Sequence, residues 1–182
     1  MLKLYANEFS EIPIVLSKRA DLRGAMIKLV ETESVAGKVT EGGNRLDLFR
    51  SVLKPLIIGE LTLTNAYQRT MLHLTRENSI HAGNNKVFAT GWAERLVRTQ
   101  YSRFYNQAVM EELLAKGQTE CFVPHSSEEN VGSKCSLYLA GKAHNLKALY
   151  NLLISSYAKG SWDSSPKIPD HPHCTHVVTP VL

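Results

Sequence analysis

The sequence predicts a mainly α-helical protein with short β-strands, and three patterns predict it. Over 92–116, Ala93, Leu96, Val97, Tyr101, Phe104, Ala108, Val109 and Leu113 fall at helical spacing, forming the longest periodic segment in the chain. A second strongly amphipathic stretch, 143–159, is built on Leu146, Leu149, Tyr150, Leu153 and Tyr157. Elsewhere the period drops to two, as in Leu61 and Leu63 against Glu60, Thr62 and Thr64. The 182 residues, 43% apolar and 21% charged, fit one globular domain over 1–160 with an extended tail over 161–182.

Taken in order, Ile12, Ile14 and Leu16 alternate with Pro13, Val15 and Ser17, the pattern of an edge strand. Lys18 and Arg19 follow, then a helix over 20–34 that buries Leu22, Met26, Leu29 and Val30. After a Gly-rich loop, Asn44 caps a helix over 45–54, which Pro55 ends. The stretch 58–64 reads as a half-buried strand feeding directly into a helix through Tyr67, Met71, Leu72 and Leu74. A loop over 79–88 leads to the long helix, which Gly117 terminates. A polar connector over 118–133 precedes a second alternating strand, with Cys135, Leu137 and Leu139 facing in and Lys134, Ser136, Tyr138 and Ala140 facing out. Gly141 breaks it, and the last helix runs to Gly160. The remainder, SWDSSPKIPDHPHCTHVVTPVL, is rich in Pro, Ser and His and reads as extended.

A net charge of +4 and a pI near 9.0 point modestly to a polyanionic partner, and an ordinary solvated surface explains the charges about as well. Cys121, Cys135 and Cys174 form an odd, widely spaced set with no CxxC pair, which fits a reducing cytoplasm rather than a disulfide framework. The N-terminal stretch has acids where a signal peptide needs an apolar run, and no window is long and apolar enough to span a membrane. The expected location is therefore cytoplasmic, with no membrane partner.

No GxSxG, HExxH, Walker A loop or GxGxxG occurs, so no catalytic residue is assigned. Asp170, His171, His173, Cys174 and His176 are the densest set of metal-ligand types. Closing a structural zinc site needs further ligands from elsewhere, and the remote candidates are Cys121, His125 and Cys135. The set is therefore read as part of a polar tail, with no metal assigned. His73 reads as a core histidine, and Trp92 and Tyr101 as core aromatics.

The order GELTLTNAYQRTMLHLT, WAERLVRTQYSRFYNQAVMEELL, a polar insert and KCSLYLAGKAHNLKALYNLLISSY, over about 58–160, resembles the AcaB-like family of conjugative plasmid and integrating conjugative element proteins. That resemblance implies a ribbon-helix-helix core with an additional helical elaboration, in which paired strands from a dimer enter the major groove. Carried over by position, Thr62, Thr64, Lys134, Ser136 and Tyr138 become base-reading candidates, and Arg69 and Lys142 phosphate contacts. Lys18 and Arg19 belong to a competing ribbon at 12–16. Two features depart from the family pattern: roughly ten residues separate the two helices, and Glu60 puts an acid on the presumed DNA face. The expectation is a transcriptional regulator that binds double-stranded DNA as a homodimer or higher homo-oligomer, without enzyme activity or cofactor. An assembly factor of the transfer machinery acting through apolar helices, and a metal-dependent enzyme built on the His-rich tail, are the alternatives.

Overall fold

The computed structural model describes residues 4–182; the first three residues, part of the stretch read for a signal peptide, lie outside it. Six α-helices and one two-stranded sheet make up its regular structure: α1 (Ile12–Lys18), α2 (Ala20–Thr32), α3 (Arg45–Ile58), α4 (Leu63–His73), α5 (Trp92–Ala115), β1 (Glu120–Val123), β2 (Lys142–Asn145) and α6 (Leu146–Leu153). The mainly helical expectation holds. Helix α5 is the centre, with α2, α4 and α6 packed around it.

Every residue from Gln100 to Met110 on α5 is buried, so the helix is covered on all sides rather than along one stripe. Its polar side chains must then find partners inside the protein. Arg103 lies wholly within the core; Nη1 donates to Ser34 O (2.9 Å) and Gln100 Oε1 (3.2 Å), and Nε to Gln107 Oε1 (3.1 Å). Burial lowers its pKa to about 10, with Glu33 and Glu111 pulling the other way, so the guanidinium stays charged at neutral pH. Asn106 donates to Ser102 O (2.8 Å) and accepts from the backbone N–H of Val178 (2.8 Å). Through these two side chains α5 holds the loop after α2 and the C-terminal segment.

The strands expected at 12–16, 58–64 and 134–140 are absent, and each has a local cause. Pro13 sits in the first turn of α1, where its fixed φ favours helix, and Ile12, Val15 and Leu16 go inward while Ile14 stays 53% exposed. Helix α3 runs on past Pro55 to Ile58, where Gly59 (φ 85°) turns the chain and the N–H of Glu60 returns to Pro55 O (2.9 Å). This is a Schellman stop. Three residues later Thr62 caps α4, its side chain accepting from the Asn65 N–H (3.2 Å). The alternating Leu and Thr are therefore consumed by the end of one helix and the start of the next. Cys135–Leu139 forms one wide π turn that buries Cys135, Ser136 and Leu139 and exposes Leu137 and Tyr138.

The one ribbon among the described residues lies elsewhere. Antiparallel β1 and β2 pair Glu120 with Asn145 and Val123 with Lys142, and Phe122 also bridges to Thr179. β1 fell in the stretch read as a polar connector, and β2 takes the first three residues expected in the helix over 143–159, because ECFV and KAHN are short and bury little: Cys121 and Val123 are the only fully buried side chains on them. The extended C-terminal segment packs into the body: Ile168, Cys174, Val177 and Val178 are buried, and Thr175 O accepts from the Phe9 N–H (2.8 Å). Among the described residues, no helix is long and apolar enough to cross a membrane.

Arg103→Ala leaves a cavity and unpaired acceptors around Gln100, Gln107 and Ser34, and it is expected to cost about 3–5 kcal/mol in urea unfolding. Glu33 is half-buried and 3.7 Å from the guanidinium, so Glu33→Ala is expected to cost only about 0.5 kcal/mol. Equal losses from the two substitutions contradict this account.

Candidate functional site

Two features meet at the C-terminal segment. The first is a groove of about 740 Å3 bounded by the loop after α2, the start of α5, the π-helical stretch Ile154–Ala158 that continues α6 and the Asp170–Pro172 wall. Lys38, Lys86, Arg95 and Lys159 line it, and among the described residues none of them has a carboxylate oxygen within 4 Å. Arg95 is steadied by the carbonyls of Thr90 (2.7 Å) and Ala89 (3.2 Å), which leave its charge uncompensated. The two acids of the groove are already engaged: Glu41 with His81 (2.6 Å) and Asp170 with Lys167 (4.0 Å). Both tryptophans of the chain, Trp92 and Trp162, also line it, and Trp162 is 79% exposed.

Behind the Asp170–Pro172 wall lies the second feature, a cluster of thiols and imidazoles. The Cys135 Sγ is 3.8 Å from Cys174 Sγ and 3.6 Å from His171 Nε2, and Cys174 Sγ is 3.8 Å from His176 Nδ1. The Ser133 hydroxyl lies 3.2 Å from Cys135 Sγ. Cys135, Cys174 and His176 are buried, whereas His171 is half-buried and reaches the groove. The π turn presents Cys135, and a tight turn in which the Cys174 N–H donates to His171 O (3.0 Å) brings those two side chains together.

The electrostatics of the cluster follow from these contacts. The hydrogen bond from Cys174, opposed by burial and aided by His171 and His176, holds Cys135 well below the usual thiol range. Donating that bond, together with burial, pushes Cys174 up. Burial disfavours a charged His176, but its contacts with Cys135 and Glu129 outweigh burial and raise it. Glu129 joins Oε2 to His176 Nε2 (2.6 Å) and Oε1 to His125 Nδ1 (2.7 Å), and these two partners lower its pKa against the desolvation that raises it. By contrast Cys121, on β1, lies apart from the cluster, with its thiol pushed up to about 12 by burial.

The residues expected to contact DNA are not gathered on a ribbon. Thr62 is the cap of α4, with Thr64 and Arg69 exposed on that helix. Lys134 and Lys142 are exposed near the π turn, where their ammonium groups donate to Ser164 O (3.3 Å) and Leu137 O (3.1 Å). Tyr138 is exposed, but Ser136 points inward, because helical geometry replaces the alternation expected there. Lys18 is exposed at the end of α1. Arg19 is buried and held by Asp21 (2.6 Å) and Glu112 (3.0 Å), a structural ion pair rather than a free phosphate contact.

Lys38, Lys86 and Lys159 had no sequence signal, being single charges far apart in the chain. Trp92, read as core, lies at the groove. For the cluster a signal existed: a polar tail has no use for the Val177 and Val178 pair, which marks the HPHCTH stretch as anchored next to buried chain. No family model, curated protein or solved structure matches the chain.

The loop that carries Glu129 is tied down by Glu8, whose carboxylate accepts from the Ser127 N–H (2.6 Å), the Ser127 hydroxyl (2.8 Å) and the Ser126 hydroxyl (3.1 Å). These bonds, led by that from the Ser127 backbone, lower the Glu8 pKa to about 2 from 4.5. A depressed carboxylate contributes stability above its unfolded pKa and loses it as pH falls toward its folded one. The melting temperature of Glu8→Gln is therefore expected to lie below that of the unsubstituted protein at pH 7, with the gap closing between pH 4.5 and pH 2. A gap that is independent of pH contradicts the assignment.

Proposed function

We propose that this protein binds DNA through the groove between Lys38, Lys86, Arg95 and Lys159, with Trp92 and Trp162 as stacking surfaces. The observation that carries the reading is the pairing of four uncompensated cations with both tryptophans of the chain in one concavity. Phosphates are attracted by unpaired cations, and bases stack on exposed aromatic faces whatever their sequence. A strand with unpaired bases suits such a surface better than an intact duplex does, since stacking needs the base faces free. The regulatory role on a conjugative element that the resemblance implies is retained in this proposal, exercised through the groove. Arg69, Lys134 and Lys142, exposed outside the groove, are additional phosphate contacts on this reading.

A second reading is favoured by α4, where Met71 and Leu72 are 49% and 76% exposed: a protein partner of the transfer machinery covering that face. It needs no DNA.

Because both tryptophans lie at the groove, intrinsic fluorescence reports its occupancy directly. Titration with a single-stranded oligonucleotide is expected to quench it, with log K falling against log salt at a slope of about −3 for four phosphate contacts. Replacing Lys38, Lys86 and Lys159 together by Ala is expected to flatten the slope by roughly 2 and weaken binding at least about tenfold. Trp162→Ala is expected to reduce both quenching and affinity. Absence of quenching, with affinity indifferent to all four substitutions, overturns the groove as the binding site and leaves the protein-partner reading.

A further inference from the structure

We infer that Cys135, His171, Cys174 and His176 are the four ligands of a structural zinc ion. The cluster was a candidate by composition alone until the fold brought Cys135 across to the C-terminal turn. A tetrahedral zinc with Zn–S of about 2.3 Å and Zn–N of about 2.05 Å has edges of about 3.8 Å between sulfurs and about 3.6 Å between sulfur and nitrogen. The observed separations are 3.8 Å for the two sulfurs, 3.6 Å from Cys135 to His171 and 3.8 Å from Cys174 to His176. Donor atoms of Cys135, His171 and Cys174 all lie within 4.8 Å of one another; His176 Nδ1 is 3.8 Å from Cys174 Sγ but not within 4.8 Å of every other donor, so His176 is the ligand that moves to close the tetrahedron. His176 presents Nδ1 to the sulfurs because Glu129 engages its Nε2 at 2.6 Å. A carboxylate behind a ligating imidazole fixes the tautomer whose free nitrogen faces the metal.

Charge makes the same case. A divalent cation between two thiolates and two neutral imidazoles brings the site to zero net charge, which a buried setting favours. Binding releases the thiol protons that remain on the two cysteines to solvent, and no electron changes hands. Two other uses of the thiols fit less well. A disulfide requires sulfurs about 2.05 Å apart, roughly half the observed separation. A cysteine nucleophile requires access, and Cys135 is 1% exposed with a second thiol against it. Four protein ligands leave no open position, so the ion is structural rather than catalytic.

The ion ties the π turn at 135–139 to the turn at 171–176, and thereby fixes the wall that His171 and Pro172 contribute to the groove. Zinc occupancy itself does not depend on what the groove binds.

Metal analysis of protein purified without a metal-affinity tag is expected to find about one zinc ion per chain. Cys135→Ser and Cys174→Ser are expected to lose it, while Cys121→Ser, on β1 away from the cluster, keeps it. Glu129→Gln is expected to keep the stoichiometry and weaken zinc roughly 10- to 100-fold in chelator competition. Should the cysteine variants fail to fold, cobalt exchanged into the unsubstituted protein reads the site directly. The intense visible bands of a tetrahedral ion, with thiolate-to-cobalt charge transfer, support it. A metal-free protein whose folded state takes up neither zinc nor cobalt overturns the inference. So does a cobalt spectrum without thiolate charge transfer, or rapid alkylation of Cys135 in zinc-supplemented native protein.

Discussion

The burial of α5 on every side is the constraint to which the rest of the structure answers. A helix with one wet face can leave Arg, Gln and Asn to water, but from Gln100 to Met110 there is no such face. Arg103 recruits its own neighbours one turn away, Gln100 and Gln107, and reaches the chain after α2 through Ser34 O. Asn106 spends its acceptor on the backbone of Val178. These side chains do more than satisfy themselves. They fix where two otherwise irregular segments lie against the bundle, and both segments contribute residues to the groove.

The C-terminal segment depends on this arrangement most directly. Asn106 and the bridge between Phe122 and Thr179 hold its far end, while the Phe9 N–H holds Thr175. Just before these anchors the chain makes the turn that sets His171 and Cys174 opposite Cys135. The groove and the thiol–imidazole cluster are therefore two sides of one wall. On the zinc inference, metal and hydrogen bonds share the task of holding that wall, as expected where a segment has few regular backbone bonds of its own.

Helices were legible because their signal is long. The stripe from Ala93 to Leu113 repeats over many turns, and no competing period survives that length. Strand signals were short, and helix-stopping and helix-starting chemistry mimicked them. Leu61 and Leu63 alternate with Thr62 only because Gly59 ends α3 and Thr62 begins α4 within three residues. The true strands, ECFV and KAHN, are held by backbone pairing, which leaves little mark on side-chain pattern. Arg19 looked like a free cation for a related reason: charge is visible in a sequence, while two of the groups that hold it, Leu4 O and Glu112, lie 15 and 93 positions away.

By itself the sequence determined the helical class, the central helix and the ligand types gathered near the C-terminus. Each of these depends on residues close together in the chain, where periodicity and composition speak. The tertiary structure decided which cations are free, where both tryptophans sit and which distant thiol completes the cluster. Cys135 and Cys174 are 39 residues apart, and no local pattern encodes that meeting; it follows only once α5 has been buried and the last segment has been pinned across it.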